Sequence, residues 1–176
     1  MSYPAANAVT VRRARTGDVR AVRDLLDAYV DDGILLDKAT VTLYESIQEF
    51  WVAERDSDAR VVGCGALHVM WEDLAEVRTL AVDPQFHGSG IGHLVLGKLL
   101  QTARWLGVRR VFCLTFEVAF FAKHGFTEIE ETPVDTVDTD VYSELLRSYD
   151  EGVAEFLGLE RVKPNTLGNT RMLLHL

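Results

Sequence analysis

Residues 75–92 read Ala75-Glu76-Val77-Arg78-Thr79-Leu80-Ala81-Val82-Asp83-Pro84-Gln85-Phe86-His87-Gly88-Ser89-Gly90-Ile91-Gly92, and the change of pattern inside this stretch decides how the rest of the chain is read. Its first eight residues are a β-like run. Asp83-Pro84 ends that run, because proline has no N–H to give to a strand ladder. Gly88, Gly90 and Gly92 follow, and backbone without Cβ atoms can turn sharply and approach a ligand closely. Beyond them Leu94, Val95, Leu99, Ala103 and Leu106 keep helical spacing, which predicts a helix over Ile91–Leu106 that Gly107 terminates. The unpaired N–H groups of such a helix start form an anion site, and a pyrophosphate fits it. The loop is not the dinucleotide fingerprint, whose third glycine would fall on His93, nor a Walker loop, since no Gly-Lys-Ser/Thr follows. A plain helix-entry turn is the bland alternative.

Towards the N-terminus, Thr16 and Asp18 open a predicted helix carrying Val19, Val22, Leu25, Leu26, Tyr29 and Val30, ended by Gly33. Thr42 and Glu45 have capping-box spacing before Leu43, Ile47 and Phe50, which predicts a second short helix. Trp51–Arg55 and Val61–Trp71, separated by Asp56-Ser57-Asp58-Ala59, are expected to pair as an antiparallel hairpin. Towards the C-terminus, Arg109–Thr115 reads as a buried strand, 118–123 as a short helix, His124-Gly125 as a turn and 126–129 as a strand. The acidic stretch 132–140 is a solvated connection, and Val141, Leu145, Tyr149, Val153 and Phe156 predict one more helix before a last strand at 171–176. The fold class is therefore α/β: one mixed, largely antiparallel sheet with helices on both faces, in a single domain over 9–176 behind a flexible start at 1–8.

Composition bounds the partners. The chain has 176 residues, 48% hydrophobic and 26% charged, as expected for a globular domain with its own core. A net charge of −9 argues against nucleic acid or an anionic membrane, which require a field of Lys and Arg. Residues 1–8 lack the basic start and apolar middle of a signal peptide, and no run is long enough to span a bilayer, so a cytoplasmic location is expected. Cys64 and Cys113 sit in apolar runs without a Cys-x-x-Cys pair, and no two histidines are spaced i, i+4; no metal is implied. His87 and His93 flank the glycine loop and are read as solvent-facing.

The run from Ala75 to Pro84 followed by Gln85-x-x-Gly88-x-Gly90-Ile91-Gly92 resembles the coenzyme A signature of the GNAT acetyltransferases, and Phe120-Phe121-Ala122-Lys123-His124-Gly125-Phe126 resembles that family's later aromatic segment. The resemblance implies a splayed GNAT sheet with acetyl-CoA as cosubstrate. It implies that the pantetheine arm lies along Leu80, Ala81 and Val82, and that the pyrophosphate sits on the amides of Gln85, Gly88, Ser89, Gly90, Ile91 and Gly92.

An amine must lose a proton to attack a thioester, and a carboxylate is the expected acceptor. Glu76 takes that role by the resemblance, with Glu117 as second choice. Glu76 shares strand parity with Arg78 and Leu80; Arg78 would keep it ionised, and a structural Glu76–Arg78 ion bridge is the other reading. A backbone N–H near Leu80 would stabilise the oxyanion. Phe120 and Phe121 stand where many GNAT enzymes carry a tyrosine acid, so water is left to protonate the thiolate, whose reference pKa is about 8.5. Action on another small amine or a peptide N-terminus stays open, as does a noncatalytic acyl-CoA sensor.

A narrower resemblance concerns the acceptor. Val11-Arg12-Arg13-Ala14, Gly33-Ile34-Leu35-Leu36, Gly63-Cys64-Gly65-Ala66-Leu67, Glu76 through Val82 and Val111-Phe112-Cys113-Leu114-Thr115 together are similar to the acetyltransferase part of the bacterial N-acetylglutamate synthases. Most of those carry an amino-acid kinase domain ahead of it, which 176 residues do not accommodate. Acetylation of the α-amino group of L-glutamate or L-glutamine, towards arginine, is what this resemblance implies. Lys38, Arg171, Lys163 and Arg78 are the cations considered for the substrate carboxylates, since charge-assisted bonds to carboxylate are strong and directional. The oligomeric state, a homodimer included, is left open.

Overall fold

The computed structural model describes residues 8–35, 37–130, 137–159 and 168–176. In chain order these form β1 (Val9–Arg13), α1 (Val19–Asp31), α2 (Thr40–Glu45), β2 (Phe50–Arg55), β3 (Val61–Trp71), β4 (Leu74–Val82), α3 (Ile91–Leu106), β5 (Arg110–Thr115), α4 (Val118–Ala122), β6 (Thr127–Glu128), α5 (Thr139–Leu145), α6 (Glu151–Leu157) and β7 (Thr170–His175). Short 3-10 turns precede α1, β2 and the glycine loop. The strands make a seven-stranded mixed sheet in the order β1-β2-β3-β4-β5-β7-β6. The described residues fall into two compact units, one within 1–67 and 77–102 and the other within 68–76 and 103–176.

In the first unit, β2 pairs antiparallel with β3, as the hairpin pattern predicts, and β1, a strand that the sequence pattern does not announce, pairs antiparallel with the other side of β2. Val19, Val22, Leu25 and Leu26 of α1 pack with Leu43, Phe50, Val52, Val61, Cys64, Ala66 and Ala81 in one core. Helical spacing on α1 and strand alternation on β2 thus bury one face of each element. Arg12 is held between Asp18 at 2.8 Å and Glu54 at 2.6 Å, tying β1 to the start of α1 and to β2. Glycine lets α3 lie close on β3. A Cβ at Gly65 would stand 2.9 Å from Leu80 Cδ1 and 3.0 Å from both Leu99 Cδ1 and Val95 Cγ1.

In the second unit, β5 pairs in parallel with β4 through Leu74↔Arg110, Ala75↔Val111 and Glu76↔Phe112, and antiparallel with β7 from Arg110↔His175 to Thr115↔Thr170. β6 adds to the other side of β7. Met70, Leu74, Phe112, Leu145, Val153, Phe156, Leu157 and Leu173 form its core, with Phe112 and Phe156 edge to face at 5.4 Å.

The structure redraws several local expectations. Thr16 lies in the 3-10 turn and does not cap α1; the Asp18 carboxylate instead accepts the Arg15 N–H at 2.7 Å. α2 begins at Thr40 after Ala39, so Thr42 is inside it, and Phe50 is the first residue of β2. The single helix predicted over Val141–Phe156 is two. Ser148 Oγ accepts the Asp150 N–H at 3.1 Å, and Asp150 caps the Val153 N–H at 3.1 Å. Polar side chains that bind local backbone stop one helix and start the next, although the apolar spacing runs on.

Candidate active site

The glycine loop lies in the first unit. Asp83, buried at the end of β4, begins it: its carboxylate accepts the Gln85 N–H at 2.9 Å and an Arg60 N–H at 2.6 Å. This cap and ion pair turn the chain out of the sheet at the point where Pro84 forbids further pairing. Gly88 and Gly90 have φ of +76° and +86°, a region other residues enter only under strain, and a Cβ at either would meet open space. The loop delivers the chain into α3, whose first-turn N–H groups precede any i−4 carbonyl within the helix. Tyr29 of α1 reaches the same place. Its hydroxyl donates to the Val82 carbonyl and stands 2.8 Å from His87 Nε2.

Three residues before the end of β4, Thr79 has φ of +59°. For a β-branched residue this is a genuine outlier, and strain of this kind is kept where the surroundings over-determine it. Thr79 is buried, its Oγ1 has no hydrogen-bond partner among the described residues, and its carbonyl accepts from Cys64 Sγ at 3.5 Å. A left-handed residue interrupts the two-residue alternation of a strand. Side-chain parity therefore does not relate Leu80 to Arg78 in the simple way an unbroken strand would. Nothing in the sequence signals this kink, because threonine suits a regular strand.

Glu76 and Glu117 lie in the second unit. Glu76 is buried, 6% exposed, opposite Phe112 in the β4–β5 register. The Cys113 thiol is pushed up first by its own burial and second by the charge of Glu76. Glu117 is exposed at the start of α4, where its N–H donates to Thr115 Oγ1 at 2.8 Å. Phe120 and Phe121 meet edge to face at 5.2 Å, and Phe121 meets Phe126 in the same way at 5.2 Å. These are packing contacts between aromatic rings. Burial also pushes the Cys64 thiol up to about 12, so both cysteines are core residues rather than nucleophiles.

Lys38 and Arg78 are half-buried in the first unit, and Arg23 donates to the Lys38 carbonyl. Arg171 is in the second unit, donating from Nη2 to the Glu155 and Phe156 carbonyls at 3.3 and 2.8 Å with its guanidinium 5.7 Å from the centre of the Phe112 ring. It thus serves the last turn of α6, and its burial lowers its pKa from the ordinary value. Lys163 lies outside the described residues.

Residues 46–128 match the family described as Acetyltransferase (GNAT) domain. An amino-acid acetyltransferase of Mycobacterium tuberculosis is 62% identical over 165 residues, covering 93% of this chain and 92% of the relative. The crystal structure of Rv2747 from Mycobacterium tuberculosis in complex with CoA and NLQ superposes with a TM-score of 0.88 at 62% identity, over 95% of this chain and 99% of that one. N-acetylglutamate synthase from Neisseria gonorrhoeae, complexed with coenzyme A and N-acetyl-glutamate, shares the fold with a TM-score of 0.73 at 24% identity. This chain spans 96% of its own length but 35% of that protein's. With the strand, capped glycine loop and long helix in the order of the coenzyme A signature, and a relative matching nearly end to end, the chain belongs to the GNAT acetyltransferases, whose acyl donor is acetyl-CoA.

Proposed function

We propose that the protein transfers the acetyl group of acetyl-CoA to the α-amino group of L-glutamate or its close analogue L-glutamine, the first step towards arginine. The observation that carries this reading is the 62% identity to an amino-acid acetyltransferase across 93% of the chain. At that identity the core and the site residues are expected to be largely shared. In this reading coenzyme A lies along Leu80, Ala81 and Val82, with its pyrophosphate on the N–H groups of residues 85–92. The positive φ values of Gly88 and Gly90 and the open space beside them support that placement.

The reaction is direct attack. The free amine adds to the thioester carbonyl, its lone pair forming the C–N bond while the carbonyl π electrons move to oxygen. Collapse breaks the C–S bond, and the thiolate leaves with that electron pair to take a proton from water. Glu76 accepts the proton that the amine nitrogen gives up, directly or through one water. The left-handed turn at Thr79 re-aims the peptide group before Leu80, which supports a backbone N–H there as the oxyanion donor. No covalent enzyme intermediate is needed.

Lys38 is the cation proposed for a substrate carboxylate, with Arg78, Lys163 and Arg171 as further candidates. Lys38→Ala is expected to raise the KM for the amino acid at least tenfold, about 1.4 kcal/mol, while the Kd of coenzyme A stays within twofold. Equal loss of both affinities would remove Lys38 from substrate recognition. A sensor without chemistry is the second reading, favoured by Phe120 and Phe121 in place of the tyrosine acid. It predicts coenzyme A binding with no thiol release in the presence of any amine.

A further inference from the structure

A side chain of α1, far away in sequence, reaches the loop between β4 and α3. Tyr29 is 53 residues from Val82 and 58 from His87, yet its hydroxyl contacts both. The directions of these bonds follow from donor count. The Val82 carbonyl can only accept, so the one proton of the Tyr29 hydroxyl is committed to it. The contact with His87 at 2.8 Å then requires Nε2 to carry a hydrogen and the tyrosine oxygen to accept it. The rings lie 6.4 Å apart at 34°, an arrangement that lets the tyrosine body stay against the first core while its tip reaches the loop. Val82 closes the strand proposed to carry the pantetheine arm, and His87 immediately precedes the first glycine of the loop.

We propose that Tyr29 is a positioning residue for coenzyme A: it fixes the end of β4 and holds His87 with Nε2 protonated, so that the loop is set for the cofactor before the cofactor arrives. Pre-organisation of this kind lowers the ordering cost of binding and leaves the chemical step alone. The proposal rests on the placement of coenzyme A in this loop given above, and not on which amine is acetylated.

Tyr29→Phe keeps the ring and removes only the hydroxyl. The expected result is a KM for acetyl-CoA and a Kd for coenzyme A raised about fivefold to tenfold, with kcat at saturation changed less than twofold. In the wild type, nitrogen-detected NMR of the His87 ring shows the Nε2–H form; in Tyr29→Phe the two neutral tautomers mix. His87→Ala completes a double-mutant cycle, in which Tyr29→Phe costs less in the His87→Ala background than in the wild type. A Kd for coenzyme A unchanged by Tyr29→Phe, an Nδ1–H tautomer in the wild type, or a strictly additive cycle would each overturn the proposal. Gly90→Asp separates the two levels: if it leaves coenzyme A affinity intact, the loop placement fails; if it abolishes binding while Tyr29→Phe does nothing, only the role of Tyr29 fails.

Discussion

The close approach of α3 to β3 rests on Gly65, and replacing it with alanine has a calculable consequence. The new Cβ would stand 2.9 Å from Leu80 Cδ1 and 3.0 Å from Leu99 Cδ1 and Val95 Cγ1. Carbon atoms are at their optimum separation about 3.5–4.0 Å apart, so three neighbours must each give by roughly 0.5 Å or more. Val95 and Leu99 have no exposed surface to move into. Overpacking of this sort costs about 1–3 kcal/mol, and the stiffer unfolded chain of Gly→Ala offsets roughly 0.4–1 of it. The net loss is about 1–2 kcal/mol. Gly97→Ala is the matched control: it is exposed within α3, with nothing within 4 Å of its Cβ, and gains about 0.5–1 kcal/mol of helix propensity. At about 2–4 °C per kcal/mol for a chain of this size, calorimetry should show Gly65→Ala lowering Tm by roughly 2–8 °C and Gly97→Ala raising it by roughly 1–4 °C. The leucine that yields first is Leu80, so Gly65→Ala should also reduce kcat/KM. A Gly65→Ala variant as stable as the wild type would refute the packing argument.

Gly90→Asp is expected to abolish coenzyme A binding in a folded protein, because φ of +86° strains the new residue and its carboxylate opposes the pyrophosphate; titration calorimetry with unchanged affinity would contradict this. Glu76→Gln should keep coenzyme A affinity and lower kcat about 10²-fold or more, with partial recovery at high pH where free amine is abundant, whereas near-normal turnover at neutral pH excludes Glu76 as base. Arg171→Met should lower Tm, since the Glu155 and Phe156 carbonyls lose their donor, and a larger effect on substrate KM than on Tm would show that Arg171 also meets substrate.

Much of the fold was legible because its signals are local. Asp83-Pro84, the glycines and the leucine spacing of 91–106 marked β4, the loop and α3, and Asp56–Ala59 marked the β2–β3 hairpin; all of these agree with the observed elements. The break between α5 and α6 was hidden because apolar spacing runs through 141–156 while the interrupting bonds of Ser148 and Asp150 are polar and local. The left-handed Thr79 was invisible since threonine suits a regular strand. Tyr29 read as one more apolar residue of α1, and nothing nearby in sequence announces the partners of its hydroxyl. Likewise a basic residue in a final strand gives no sign that its guanidinium will serve the end of α6, as that of Arg171 does.

The central claim is most directly tested by thiol release from saturating acetyl-CoA with a panel of free amino acids, a short peptide and an aminoglycoside. L-glutamate or L-glutamine should be turned over far above every other acceptor, with the product acetylated on the α-amino nitrogen by mass spectrometry. Turnover of the peptide or the aminoglycoside with neither amino acid above background would contradict it, as would coenzyme A binding without turnover of any amine.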